Sequence, residues 1–309
     1  VIHFPGGFAF AQSEDIDNET GEYEHRQYGE WEQKFIDANI KISNWLDSMA
    51  ESIDLWFVGR KLTRKENETQ GKITNSTFIN ERNGTTNSFS SGLNVRFPNV
   101  EQYWQLKFTD YDERKERLLQ QRPKLRQTPR EKNYGATVGI WKKLGNVQSK
   151  FEPRVELRDP LKVSHLLAFE SEAEAGRLRA EQRIEFYADP DKGTGSAQYF
   201  NFRIALQEGY SLSLVNEGDY EDKLRQYSVS NGISIGQSLN QKMNMSYGVF
   251  FGSVSRPSYH LDSFGVAISF SHIVYRRILD YSVTPQINFY KEFAFTGEPG
   301  LSLNVNLQF

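Results

Sequence analysis

Cysteine is absent from all 309 residues, which removes disulfide frameworks, cysteine nucleophiles and cysteine-ligated metals in one step. Long apolar runs are missing too, since no window reaches the ~18 consecutive apolar residues of a membrane helix. Mean hydropathy is −0.64. That excludes a helical membrane protein but leaves a membrane barrel open, because every second residue of a barrel strand is free to be polar. A positive excess is also lacking, and the net charge of −3 argues against nucleic acid as a partner. Histidine is scarce, with His165, His260 and His272 the ones that fall in the strand-rich part. In Ser164-His165 and Ser271-His272 the adjacent side chains of a strand point to opposite faces, so neither pair works as nucleophile and base. His260 beside Asp262 fits an interfacial hydrogen bond better than a catalytic pair. With no metal-ligand spacing and no phosphate-binding glycine loop, no enzyme, cofactor or metal is expected.

What the chain has in quantity is alternation. At its end Leu301, Leu303, Val305, Leu307 and Phe309 point one way, and Ser302, Asn304, Asn306 and Gln308 point the other. This segment, closing on an aromatic residue, resembles the C-terminal assembly signal of Gram-negative outer-membrane β-barrels. The resemblance implies a bacterial outer-membrane location and recognition by the barrel-assembly machinery. It also implies contact with outer-membrane lipid and lipopolysaccharide.

The same period of two runs through residues 71–309. Phe89, Leu93 and Val95 alternate with Ser90, Gly92 and Asn94, and Phe264, Val266, Ile268 and Phe270 alternate with Gly265, Ala267 and Ser269. Fourteen such segments are counted, or twelve if the weak first hairpin lies outside the wall. The fold class expected is all-β: a closed antiparallel transmembrane β-barrel of about 14 strands with an N-terminal amphipathic α-helix. Short links are expected at 98–101, 145–148, 207–209, 239–242 and 271–276. Longer ones are expected at 112–133, 189–197, 216–224, 252–258 and 293–299. Short turns on one rim and long loops on the other suit an outer-membrane barrel, whereas a soluble β-sandwich has no reason to sort its loops by parity.

Ahead of the barrel, Ala9-Phe10-Ala11 before Gln12 resembles the cleavage site of a secretory leader, which would make residues 1–11 a leader remnant; the alternative is ordinary N-terminal sequence. Residues 12–70 then hold an acidic stretch and a segment of helical period, about 30–57. There Trp31, Phe35, Ile42, Trp45, Met49, Ile53 and Trp56 recur at steps of three and four, giving an amphipathic helix ~40 Å long. Such a stripe needs a cover. Three readings stay open: packing on the barrel rim or in its lumen as a plug, lying in the membrane interface, or docking to a periplasmic protein partner.

Charged residues concentrate on one side of the alternation. Arg96, Lys107, Glu152, Arg154, Glu156, Arg158, Arg177, Arg179, Glu181, Arg183, Glu185 and Arg203 are assigned to the lumen, because each would cost about 2–4 kcal/mol at mid-membrane on the lipid side. They either set a transverse field for polar solutes or form a mutually neutralised filling. The segment 112–133 carries Arg114, Lys115, Arg117, Arg122, Lys124, Arg126 and Arg130, a basic cluster for lipopolysaccharide phosphates or a solvated loop. Two functions follow. One is an outer-membrane channel for small polar or charged solutes, gated or plugged by the helix. The other is a structural or adaptor barrel whose helix binds a partner.

Overall fold

The computed structural model describes residues 29–58, 69–96, 104–111, 132–207, 209–275 and 278–309, with backbone alone at 53–58, 96, 104, 141 and 207. Helix α1 spans Glu30–Val58. Its start is fixed by Glu32, whose Oε2 accepts the Gly29 N–H at 2.9 Å, and by an acidic first turn that complements the positive end of the helix.

Fourteen strands follow among the described residues. They are β1 (Gln70–Asn80), β2 (Gly84–Arg96), β3 (Trp104–Thr109), β4 (Gly135–Leu144), β5 (Val147–Glu156), β6 (Lys162–Ala175) and β7 (Leu178–Asp189). The second half holds β8 (Gly193–Gln207), β9 (Tyr210–Glu221), β10 (Gln226–Ser238), β11 (Met243–Val254), β12 (His260–Tyr275), β13 (Leu279–Tyr290) and β14 (Gly297–Gln308). Each pairs antiparallel with its sequence neighbour, and β1 pairs with β14 to close the ring. The seam runs from Lys72↔Gln308 to Asn80↔Gly300, so the weak first hairpin belongs to the wall and the count is fourteen.

Two tight turns show why glycine is needed where the strands reverse. Gly145 between β4 and β5 has φ +63°, and Gly176 between β6 and β7 has φ +59°, a backbone region that L side chains adopt only with strain.

Several connections differ from expectation. The links expected at 189–197, 216–224, 252–258 and 293–299 shrink to 190–192, 222–225, 255–259 and 291–296, because the ladders continue through polar residues. Gly195 pairs with Glu221 and Asn216 with Asn231, in stretches where polarity on both faces looks like a loop. The parity sorting therefore rests mainly on the connection 110–134 between β3 and β4. Among the described residues the barrel is mainly apolar outside and mainly polar inside, with Asn75, Thr77 and Asn87 outward on the first hairpin and Phe78 and Phe250 inward. Ile233, Val249, Val266, Ile268 and Leu303 are exposed around the ring, while Glu152, Glu185, Thr284, Asn288 and Ser302 are buried.

Candidate functional site: the inner wall

The strand alternation decides what faces the bore. On β14 Leu301, Leu303, Val305 and Leu307 share the outer face with Ile73 and Ile79 of β1, and Phe309 follows them. Inside, Asn306 and Asn304 accept from Thr74 Oγ1 at 2.9 Å and Ser76 Oγ at 2.7 Å. Asn306 Nδ2 donates to Asp280 of β13 at 2.6 Å, and Thr284 Oγ1 donates to Ser269 at 2.9 Å. Half of the bore is thus lined by short amides and hydroxyls bonded across strands.

The other half is ionic. Lys150, Glu152, Arg154 and Glu156 take successive inward positions on β5, with Lys150 Nζ 2.8 Å from Glu152 and Arg154 Nε 3.9 Å from Glu156. On β7 Arg179 Nη2 meets Glu172 at 2.7 Å and Nε meets Glu181 at 3.0 Å, while Arg183 bridges Glu170 and Glu185. Glu185 is 0 % exposed. A carboxylate so enclosed has lost its water, and Arg183 supplies the counter-charge.

Arg154 does more than pair. Its Nη1 donates to Thr109 Oγ1 at 2.8 Å, and its Nη2 reaches the carbonyls of Asn133 at 2.8 Å and Tyr111 at 3.1 Å. It therefore ties both described ends of the β3–β4 connection to the wall. It lies so close over Gly135 that a Cβ there would come within 2.7 Å of the guanidinium.

The lumen assignments divide. Glu152, Arg154, Glu156, Arg179, Glu181, Arg183 and Glu185 come together on β5 and β7. Lys107 is inward on β3 opposite Thr137, and Arg203 lies opposite Arg179. Arg96 pairs with Gln105 at the end of β2, and its side chain lies outside the described residues. Two assignments are corrected. Arg177 sits in the β6–β7 turn just ahead of β7, where its carbonyl still accepts from the Ala205 N–H but its side chain is exposed at the rim and donates to the Leu206 carbonyl at 3.0 Å. Arg158 lies past the end of β5 on the rim, 2.9 Å from Asp191. Asp191 also accepts from Lys162 Nζ at 2.8 Å, and these two hydrogen bonds, Arg158 first, hold its carboxyl well below the usual carboxylate range. Lys150, Lys162 and Glu170 are further inward charges beyond those expected from the sequence. Each continues the period of two from an assigned neighbour or occupies the unassigned face of β6. The basic cluster Arg114, Lys115, Arg117, Arg122, Lys124, Arg126 and Arg130 lies outside the described residues.

Helix α1 touches the wall from outside. Leu46 lies 3.4 Å from where a Cβ on outward-facing Gly71 would sit, next to Phe309. Ala50 packs with Val95, Leu93 and Leu106. Asn39 Nδ2 donates to the Gln308 carbonyl at 2.7 Å, and the Phe35 ring lies tilted against Tyr275, centroids 5.7 Å apart. Of the readings left open for the helix, the described contacts fit packing on the wall near the rim: Val95 and Leu93 share the outer face with Phe89, and the helix meets them there. The covered face also differs from the expected stripe. Trp31, Ile42 and Trp45 are exposed, Met49 is half-buried, and the side chains of Ile53 and Trp56 lie outside the described residues.

His165 faces outward and stacks on Phe151 at 6.1 Å, and His260 Nδ1 lies 2.6 Å from the Ser258 carbonyl. Among the described residues no group of acidic and histidine side chains is arranged to hold a metal, and no helix is long and apolar enough to cross a membrane. The strands close into a ring, and its mainly apolar exterior suits lipid; this is an outer-membrane-type β-barrel.

No protein-family model matches the chain, and no curated protein matches it. Solved structures similar to it include a bacterial polysaccharide outer membrane secretin, at 9% identity over 78% of this chain and 98% of the other, TM-score 0.46. The outer membrane channel DcaP of Acinetobacter baumannii is 8% identical over 79% of this chain and 97% of its own, TM-score 0.48. OccK5 (OpdH) of Pseudomonas aeruginosa is 7% identical over 78% and 97%, TM-score 0.46. At this level the likeness says nothing about what this chain binds or passes.

Proposed function

We propose that this protein is a channel of the bacterial outer membrane for small polar or charged solutes. One observation carries the reading: the bore has a densely ionic wall on β5–β7 facing a wall mostly of amides and hydroxyls on β12–β14 and β1. Fixed charges of alternating sign on one side produce a transverse field, which orients dipolar solutes against donors and acceptors on the other. Catalysis has no role in this reading. The described contacts of α1 are all with the outer face, which supports a bore that α1 does not occupy.

Planar-bilayer recording tests the proposal. Purified protein should produce discrete conductance steps, and Arg179→Gln with Arg203→Gln should move the reversal potential in a salt gradient toward cations. Silent bilayers from protein whose gel mobility shows a folded barrel would overturn it.

A further inference from the structure

Helix α1 has three faces, and the wall accounts for one of them. At about 100° per residue, Asn39, Leu46 and Ala50 share a direction toward the barrel. Trp31, Ile42 and Trp45 lie about 90° away, and Trp31 and Trp45 remain 82 % and 62 % exposed. The rest of the circumference is mostly polar, including Asp37, Lys41 and Asn44, with Ile40 alone on the opposite flank at 49 % exposed.

Where the tryptophan face points follows from handedness. Gly71 faces outward, and its N–H and C=O pair with Phe309 of the β14 edge at 3.3 and 2.9 Å. For an L-residue in an ascending strand, an outward side chain puts its own N–H and C=O on the right as seen from outside. With the terminal rim down, β14 therefore lies to the right of β1, and strand numbers rise to the left. Helix α1 meets Tyr275 of β12 through Glu32 and Phe35, then Gln308, then Gly71, then Val95 of β2, so it runs right to left along that rim. In a right-handed helix running that way against the wall, the sector of Trp31, Ile42 and Trp45 turns upward, toward the apolar belt of Ile73, Val305 and Leu303.

We infer that α1 is an interfacial belt: Trp31, Ile42 and Trp45 enter the boundary between headgroups and acyl chains of the leaflet beside the terminal rim. The occupant is the lipid that wets the wall, because the exposed sector turns toward the outward residues Ile73, Val305 and Leu303. Tryptophan suits that depth, with an apolar body and a polar N–H. Lys34 Nζ sits 5.2 Å over the Trp31 ring and 2.6 Å from Glu30 Oε1, an ion pair beside the indole that suits headgroup level. Glu30, Glu32, Asp37, Asp47 and Glu51 make the helix acidic, so apolar insertion drives contact, with no requirement for anionic lipid.

The inference rests on the wall spanning a membrane, and co-flotation with vesicles tests that premise separately. The decisive experiment reconstitutes the full chain and a Trp31→Phe/Trp45→Phe variant into phosphatidylcholine vesicles, and takes the fluorescence difference between them. We expect at least half of that difference to be quenched by lipids brominated near the headgroup. Deep bromines should quench it less, and aqueous iodide should leave it nearly untouched. Quenching by iodide without bromolipid quenching would place the face in water and overturn the inference. Protection from both quenchers would mean a protein covers it, such as a second copy, and deepest quenching by chain-end bromines would mean burial below the interface; either overturns it. Failure to float would instead refute the membrane reading itself.

Discussion

The phenol of Tyr187 crosses the bare backbone of Gly195 on the next strand and donates to Asp219 Oδ1 on the strand beyond, at 3.0 Å. Three strands, β7, β8 and β9, are stitched by one side chain. The stitch depends on glycine, because a Cβ at 195 would stand 2.2 Å from the Tyr187 ring and 2.3 Å from the Tyr220 carbonyl.

Gly195→Ala should therefore displace Tyr187 and destabilise the barrel by about 1–3 kcal/mol, the usual penalty for overpacking. Urea titration of the folded protein in detergent measures it. Tyr187→Phe keeps the ring over the glycine and loses only the hydrogen bond, about 0.5–1.5 kcal/mol, so the order of the two variants is itself a check.

Arg183 is the cation for two carboxylates, one of them wholly enclosed. Its replacement by Met should cost about 3–5 kcal/mol by leaving Glu185 buried without a counter-charge. Replacing Glu185 by Leu at the same time should restore most of that loss. A double variant as weak as the single one would show that Arg183 matters for packing and not for charge.

Arg154 holds both described ends of the β3–β4 connection, and that connection is rich in trypsin sites. Arg154→Ala removes several charge-assisted hydrogen bonds, so tryptic cleavage within 112–131 should speed up by about tenfold or more. Arg154→Lys should resemble Ala more than wild type, since one ammonium cannot span Thr109, Tyr111 and Asn133 together.

At the rim, the hydrogen bond from Arg158, with the one from Lys162, depresses the Asp191 carboxyl below its unfolded value. A depressed acid contributes stability that is present above the unfolded pKa and is lost as pH falls through the folded one. The difference in unfolding temperature between wild type and Asp191→Asn should be small, because the pair is half exposed, and constant from neutral pH down to about 4, near the unfolded aspartate value. It should disappear only in stronger acid. A difference that fades between pH 7 and 5 would point to another group.

The wall was legible in the sequence wherever an apolar outer residue alternates with a small polar inner one, as in β12 to β14. It was not legible where both faces are polar. Around Gly195 and Asn216 the backbone ladder outlasts the hydrophobic signal, and hydrogen bonding between strands leaves no mark on composition. Arg177 shows a second limit, since a side chain's parity stops counting once glycine reverses the chain. Helix α1 was legible as a helix, but its docked face was not. Small Ala50 packs against Val95 and Leu93, and polar Asn39 meets the Gln308 carbonyl, while Trp31 and Trp45 point elsewhere.

Closure of the ring joins the strand that starts at Gln70 to the one that ends at Gln308, so that pairing spans nearly the whole folded sequence. Bringing such distant segments together carries the entropy of a very long loop, and none of it is recovered until the last ladder zips. A chain halted anywhere before β14 would present two bare edges at once, each ready to capture a foreign strand. Maturation of this protein is accordingly a single late commitment, and its intermediates are the forms most in need of a chaperone.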